Sequence, residues 1–235
     1  YTPKSLFSFL IVIAFFSPFY IYASNTQPPS DNFDKKHITT EELRLAEETV
    51  GNPESDQYDE DKFCNVLRRA IDAGILNEAD RLRATYRIEI AAKNRPGTTA
   101  SDFNFLTRSG KRCNLLGFNS SKPILLFFYD PDCDHCMQTI AQLKQTAIPD
   151  KAEVVAIYAE DDRERWEETN SQLPEDWTVG YALDPIQDDE TYIFLTSPTL
   201  YLLTPQKTIL LKDTTLTAIE EMLQTHGQNS PDKDE

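Results

Sequence analysis

The chain is poor in positive charge and in the side chains that bind transition metals. Only 23 lysines and arginines stand against 39 aspartates and glutamates, which gives a formal net charge of -16. Such a chain is repelled by nucleic-acid phosphates and makes no polybasic contact with a membrane surface. It has three histidines and no second C-x-x-C motif to complete the four ligands of a zinc site. We therefore expect no nucleic-acid partner, no metal and no cofactor. The histidines are His37, His135 and His226.

An uncharged apolar segment stands near the start of the chain. Residues 6–22 are rich in Leu, Ile and Phe, and Lys4 precedes them. This pattern is typical of a secretory signal, with cleavage after Ala23. The segment is also close to the shortest length that spans a membrane, so an uncleaved anchor is the alternative. The sequence thus predicts export to the periplasm.

Two of the four cysteines form a C-x-x-C motif, Cys133 and Cys136. They follow the apolar run 123–129, which predicts a central strand covered on both faces, and a helical pattern comes after them. Spacing of i and i+3 puts both sulfurs on one side of the first helical turn, where backbone N–H groups stabilise a thiolate. The motif predicts a thiol–disulfide exchange site, and a structural disulfide is the alternative.

Charged residues surround the motif. A protonated His135 would lower the pKa of the Cys133 thiol, whereas three neighbouring carboxylates would oppose this by repulsion. The balance favours a reductase or isomerase over a strong oxidant. Alternatively, the carboxylates serve as helix caps and turn formers. They belong to Asp130, Asp132 and Asp134.

The two remaining cysteines, Cys64 and Cys113, could pair with each other. Disulfides persist in an oxidising compartment. The sequence leaves open whether these two form a structural bridge or remain buried free thiols.

The rest of the chain predicts an α/β protein. A hairpin signal lies at 102–116, and buried-type strands alternate with helices over 123–183. A strand–turn–strand–helix unit then adds an antiparallel edge, with its last helix ending at Gly227. Upstream, the pattern predicts two helices, the second capped by Asn77. That helix should present one apolar face, formed by Leu82, Tyr86 and Ile90.

This order of strand, C-x-x-C, helix, later X-Pro, hairpin and final helix resembles the thioredoxin fold. The run 128–136, Phe-Tyr-Asp-Pro-Asp-Cys-Asp-His-Cys, resembles the TlpA/ResA-like thiol–disulfide oxidoreductases of Bacteroidetes. In those proteins an exported leader and a small helical region precede the redox domain. The likeness covers about residues 98–226. The 65 positions between Cys133 and Pro198 resemble the family members with an extra strand–helix insertion.

The resemblance implies a role for each matching residue. Cys133 corresponds to the attacking cysteine, and Cys136 to the resolving cysteine. Pro198 corresponds to the cis-proline that faces the disulfide, with Ser197 before it. Such a bond is rare enough in proteins to be a deliberate feature.

Two positions depart from the family pattern. Asp132 replaces the usual Trp before the first cysteine, which alters the surface that faces the substrate. Phe127, six positions before that cysteine, replaces the buried carboxylate of thioredoxin. The second change removes a candidate proton acceptor near Cys136.

The sequence therefore predicts a thioredoxin-like α/β fold, a mixed sheet flanked by helices with a small helical N-terminal extension. A signal peptide or anchor occupies 1–23, an acidic linker and helical region 24–97, the thioredoxin-like domain 98–227 and a disordered tail 228–235. The predicted function is thiol–disulfide exchange with exported proteins that carry cysteines or disulfides, supported by a separate redox partner. The alternative is a non-catalytic binding module of the same fold.

Overall fold

The computed structural model describes residues 38–53 and 55–228. The predicted leader at 1–23 lies outside these residues, as does nearly all of the predicted tail. Within the described part of the chain, no helix is both long enough and apolar enough to cross a membrane.

Seven strands form one mixed sheet. They are β1 Asn104–Thr107, β2 Arg112–Asn114, β3 Ile124–Tyr129, β4 Glu153–Tyr158, β5 Thr178–Ala182, β6 Thr199–Leu203 and β7 Ile209–Leu211. Their order across the sheet is β2-β1-β5-β4-β3-β6-β7. Strand β3 is buried along its whole length, parallel to β4 and antiparallel to β6. The predicted hairpin, central strand, parallel portion and antiparallel edge are thereby confirmed.

Seven α-helices accompany the sheet in the described residues. They are α1 Thr40–Glu48, α2 Glu60–Asp72, α3 Glu78–Ala91, α4 Asp134–Leu143, α5 Ile148–Lys151, α6 Arg163–Thr169 and α7 Leu216–Gln228. Side chains cap the early helices as their sequences indicate: Asn77 accepts a hydrogen bond from the N–H of Asp80 at the start of α3. Helix α7 runs through Gly227 instead of ending before it.

The sheet separates two apolar cores because successive side chains of a strand point to opposite faces. Leu125, Phe127 and Tyr129 of β3 belong to one core, together with buried side chains of α4, α6 and α7. The alternate residues of β3, ending with Phe128, belong to the other core. That second core is rich in aromatic rings, and Phe128 lies at its centre, 5.0 Å from the ring of Tyr192 between centroids.

Helices α1, α2 and α3 share a third apolar core. The predicted face of α3 is partly wrong, because Leu82 and Tyr86 are 59% and 47% exposed and only Ile90 is buried. The helix packs through Ala84 and Ile88 instead. A small side chain at position 84 gives little hydrophobic signal in the sequence, yet it lets another helix approach closely.

Polar contacts join this helical region to the sheet. Lys212, just after β7, donates from Nζ to Glu60 Oε2 at 2.8 Å and to the Lys93 carbonyl at 3.1 Å. The adjacent Asp213 has its Oδ2 buried without a hydrogen-bond partner. Burial raises the pKa of Asp213 to about 6, and Glu60 adds repulsion while Lys212 and Arg87 partly offset it.

We expect Asp213→Asn to stabilise the protein above about pH 7, by about 1–3 kcal/mol in the free energy of unfolding. The folded state binds a proton at Asp213 more readily than the unfolded state, so ionisation of this carboxyl costs stability as pH rises through about 6. The gain should therefore shrink to roughly half at about pH 5. Asparagine also accepts the positive φ of this position, 46°.

Urea denaturation at about pH 7 and at about pH 5 measures the free energy of unfolding of the variant and of the wild type. Asp72→Asn is the matched control, because Asp72 is exposed at the end of α2. A gain that does not change with pH, or one shared by the control, would contradict the assignment to Asp213.

Candidate active site

The C-x-x-C motif lies where central strand β3 ends and α4 begins. A tight turn makes the connection: Asp130 Oδ1 accepts from the N–H of Asp132 at 2.9 Å, and the Asp130 carbonyl accepts from the N–H of Cys133 at 3.2 Å. Cys133 is the N-cap of α4, and its sulfur accepts from the N–H of Cys136 at 3.4 Å. These contacts agree with the alternative role that the sequence offered for Asp130, which is to form the turn.

The two thiols occupy different environments. Cys133 is partly exposed, whereas Cys136 is fully buried, and both are free thiols in this structure. Burial acts to raise the pKa of Cys133, but hydrogen bonds from Cys136, from the Ser197 hydroxyl and from the His135 N–H outweigh it, so the pKa lies below its ordinary value. Burial raises the pKa of Cys136 to about 11. Near neutral pH, Cys133 is the better nucleophile.

Ser197, the residue before Pro198, contacts both sulfurs. The peptide bond between Ser197 and Pro198 is cis. Cys133 Sγ donates to the Ser197 carbonyl at 3.6 Å, and Cys136 Sγ lies 3.1 Å from Ser197 Oγ. The structure thus brings together the four residues that the family resemblance selects, although they come from segments 61 to 64 residues apart.

Arg165 is a site residue that the sequence did not reveal. Its guanidinium binds the Asp132 carboxylate with two hydrogen bonds, one of them from Nε to Oδ2 at 3.0 Å. This ion pair lowers the pKa of Asp132. Arg165 lies in α6, which follows β4, and the ends of neighbouring parallel strands meet at one edge of a sheet. The sequence therefore indicated that α6 begins near the motif. It did not indicate whether Arg163 or Arg165 would reach Asp132.

The remaining predicted site residues are peripheral. His135 and Asp134 are exposed on the first turn of α4. Of the two, only His135 contacts a sulfur among the described residues, through its backbone N–H. Phe127 is fully buried, with its ring 6.1 Å from that of Tyr129 between centroids. An apolar ring thus occupies the position of thioredoxin's buried carboxylate, and the Cys136 sulfur instead contacts the Ser197 hydroxyl and a backbone group of Asp130.

The other two cysteines lie elsewhere, and the structure forms no bridge between them. Cys64 is buried in α2, and Cys113 is part of the edge strand β2. Burial raises the pKa of Cys64, which makes that thiol less reactive. In the part of the chain that the structure describes, no group of His, Cys, Asp or Glu is arranged to hold a metal ion.

A C-x-x-C pair at a helix start, beside a cis-proline on a mixed sheet of this order, defines a thioredoxin-like protein. The chain is 34% identical to a thioredoxin-like protein from Bacteroides caccae, with a TM-score of 0.72 over 78% of this chain and 69% of that one. The chain therefore belongs to the thioredoxin-like superfamily.

Two further solved structures share part of the chain. The C-terminal domain of an uncharacterized protein from Bacteroides fragilis is 34% identical, with a TM-score of 0.54 over 57% of this chain and 99% of that one. The C-terminal domain of a candidate thiol–disulfide oxidoreductase from Bacteroides thetaiotaomicron is 16% identical, with a TM-score of 0.50 over 59% and 100%, and shows the fold alone. The chain matches no protein-family model and no curated protein.

We expect Arg165→Gln to raise the pKa of Cys133, because it leaves the charge of Asp132, the residue before Cys133, uncompensated. The double variant Arg165→Gln with Asp132→Asn should restore most of the original pKa. Ultraviolet thiolate absorbance against pH measures it, and the shift should shrink at high salt because the pair is exposed.

Arg163→Gln is the matched control, since Arg163 lies on the same helix but pairs with Glu167. If this control moves the Cys133 pKa as far as Arg165→Gln does, the effect belongs to the overall charge of α6 and not to the Asp132 pair.

Proposed function

We propose that the protein is an exported thiol–disulfide oxidoreductase that exchanges disulfides with cysteines of other exported proteins. The observation that carries the proposal is that the two sulfurs at the start of α4 differ in accessibility and in pKa. Cys133 is accessible with a lowered pKa, and Cys136 is buried with a raised one. Membership of the thioredoxin-like superfamily supports the same class of chemistry.

The reaction begins at Cys133. Its thiolate attacks one sulfur of a substrate disulfide, a Cys133–substrate disulfide forms, and the other substrate sulfur leaves as a thiolate that takes a proton from solvent. The N–H of Cys136 stabilises the starting thiolate. The Ser197 carbonyl and hydroxyl lie beside the two sulfurs.

Cys136 completes the exchange. Its thiol loses a proton, the resulting thiolate attacks the Cys133 sulfur, and the substrate cysteine leaves as a thiol after taking up a proton. Two electrons have then passed from the protein dithiol to the substrate disulfide, and the reverse sequence oxidises a substrate dithiol. With phenylalanine at position 127, we assign the Ser197 hydroxyl, 3.1 Å from Cys136 Sγ, to orient this thiol as it loses its proton.

We propose that the protein reduces or isomerises substrate disulfides in the periplasm, and that an unidentified redox partner restores its dithiol. The repulsion expected from the aspartates is smaller than the sequence indicates, because Arg165 binds the carboxylate of Asp132. Asp130 and Asp134 still oppose the thiolate. A redox potential of the pair at or below about −250 mV would support a reductase, and one above about −150 mV would assign an oxidant.

The test compares single cysteine variants of the purified protein. Wild type should accelerate the reduction of insulin by dithiothreitol, and Cys133→Ser should reduce the rate to the uncatalysed value. Cys136→Ser should instead accumulate a mixed disulfide through Cys133, which mass spectrometry detects. The control is Cys113→Ser, which should keep the wild-type rate because Cys113 lies on the edge strand β2.

A wild type that gives no acceleration and traps no substrate would contradict the proposal. That result would instead favour a binding module in which Cys133 and Cys136 form a structural disulfide.

A further inference from the structure

A pocket opens directly beside the two cysteines, at the ends of β3 and β4 and the start of β6. It is a shallow depression on the surface, and its volume is about 240 Å³ when the open solvent at its mouth is included. Its lining residues are Phe128, Tyr129, Asp130, Ala159, Glu160, Phe194, Thr196, Ser197 and Thr199.

The pocket combines aromatic walls with carboxylates. The rings of Phe128 and Phe194 lie 4.7 Å apart between centroids. Asp130 and the exposed Glu160 supply two carboxylates, and Tyr129, Thr196, Ser197 and Thr199 are the lining residues that carry a hydroxyl. Among the residues that the structure describes, no basic side chain lines it.

Neither carboxylate forms an ion pair among the described residues. Asp130 Oδ1 accepts from a backbone N–H, and Glu160 Oε1 accepts from the neutral amide of Gln187 at 2.9 Å. The nearby arginines of α6 are paired elsewhere: Arg163 with Glu167, and Arg165 with Asp132 and Glu168.

The negative charges near the pocket also act on the side chain of Tyr158. Burial raises the pKa of Tyr158 to about 12, and the charges of Asp130, Glu160 and two neighbouring aspartates push it in the same direction. The pocket is therefore a site of uncompensated negative charge with apolar walls.

Ser197 connects the pocket to the reacting sulfurs. It lines the pocket and also contacts both Cys133 and Cys136. The pocket and the two sulfurs, to one of which a substrate would be joined, therefore share one contact residue.

We propose that this pocket binds a lysine or arginine side chain of the substrate polypeptide, one or two residues from the reacting cysteine. The proposal rests on the proposed function and adds a substrate preference to it. The aliphatic stem of the basic residue packs against the partly exposed ring of Phe194, and its cation lies near Asp130 and Glu160. Two unpaired carboxylates beside aromatic rings attract a cation and repel an acidic side chain.

The test uses synthetic disulfide-bonded peptides that differ only in the residue next to the cysteine. This residue is lysine, norleucine or glutamate, and the reduced protein's second-order rate constant is measured at low salt. We expect the order lysine, norleucine, glutamate, with about a tenfold difference between lysine and glutamate. A fourth peptide carries the lysine at its far end, so that its net charge matches but its position does not.

Glu160→Gln should lower the ratio of the lysine rate to the norleucine rate toward one. This side chain is exposed, so the variant should fold as wild type does. Asp72→Asn is the control, because it removes one negative charge from the end of α2 and should leave the ratio unchanged.

The outcomes separate this inference from the function on which it rests. Equal rates for all peptides would overturn the pocket assignment while the exchange activity stands. The assignment would likewise fail if the far-end lysine worked as well as the adjacent one, or if Asp72→Asn lowered the ratio as much as Glu160→Gln, because general attraction would then explain the preference. No exchange with any peptide would overturn both.

Discussion

The hydrogen bond from the Cys136 N–H to the Cys133 sulfur is the interaction around which the rest of the site is arranged. It requires a helix to begin at Cys133, and the helix can begin there only because β3 ends in a tight turn four residues earlier. Strand β3 is in turn held by β4 and β6 on either side and covered by apolar cores on both faces. A central strand fixed in this way leaves the exposed thiol little freedom to move from the N–H group that stabilises its thiolate.

The helical extension also contributes to this arrangement. Tyr86 and Lys93 both bind the Glu190 carboxylate, at 2.9 and 2.8 Å, and Asn94 donates to the Thr191 carbonyl at 2.8 Å. Glu190 and Thr191 belong to the segment that continues to Ser197 and Pro198. The exposed aromatic ring of Tyr86, which the sequence placed in a core, is thus used for its hydroxyl. These contacts connect α3 to the segment that carries the residues facing the sulfurs.

The sequence was sufficient for the features that rest on local pattern. The apolar run of β3, the C-x-x-C spacing and the cap at Asn77 each involve residues close together in the chain, so their structure follows from short-range rules. The position of Pro198 came from family resemblance. Arg165 could not be predicted, because its partner Asp132 is 33 residues away and any of several charged side chains could have reached it. The burial of Asp213 could not be predicted either, because it depends on how the helical region packs against the sheet.

In the proposed exchange, the replacement of thioredoxin's buried carboxylate by Phe127 would change the balance between the two steps. Attack by Cys133 depends on a thiolate that hydrogen bonds from Cys136, Ser197 and His135 stabilise, whereas release of the substrate depends on Cys136, whose pKa burial raises. A serine hydroxyl orients a thiol but is too weak a base to remove its proton near neutral pH, so the second step must wait for solvent to take it. The mixed disulfide then persists longer than it would beside a carboxylate. A pocket that holds the substrate next to the reacting sulfur has its greatest effect on such an intermediate, because it keeps the chain in place while Cys136 loses its proton.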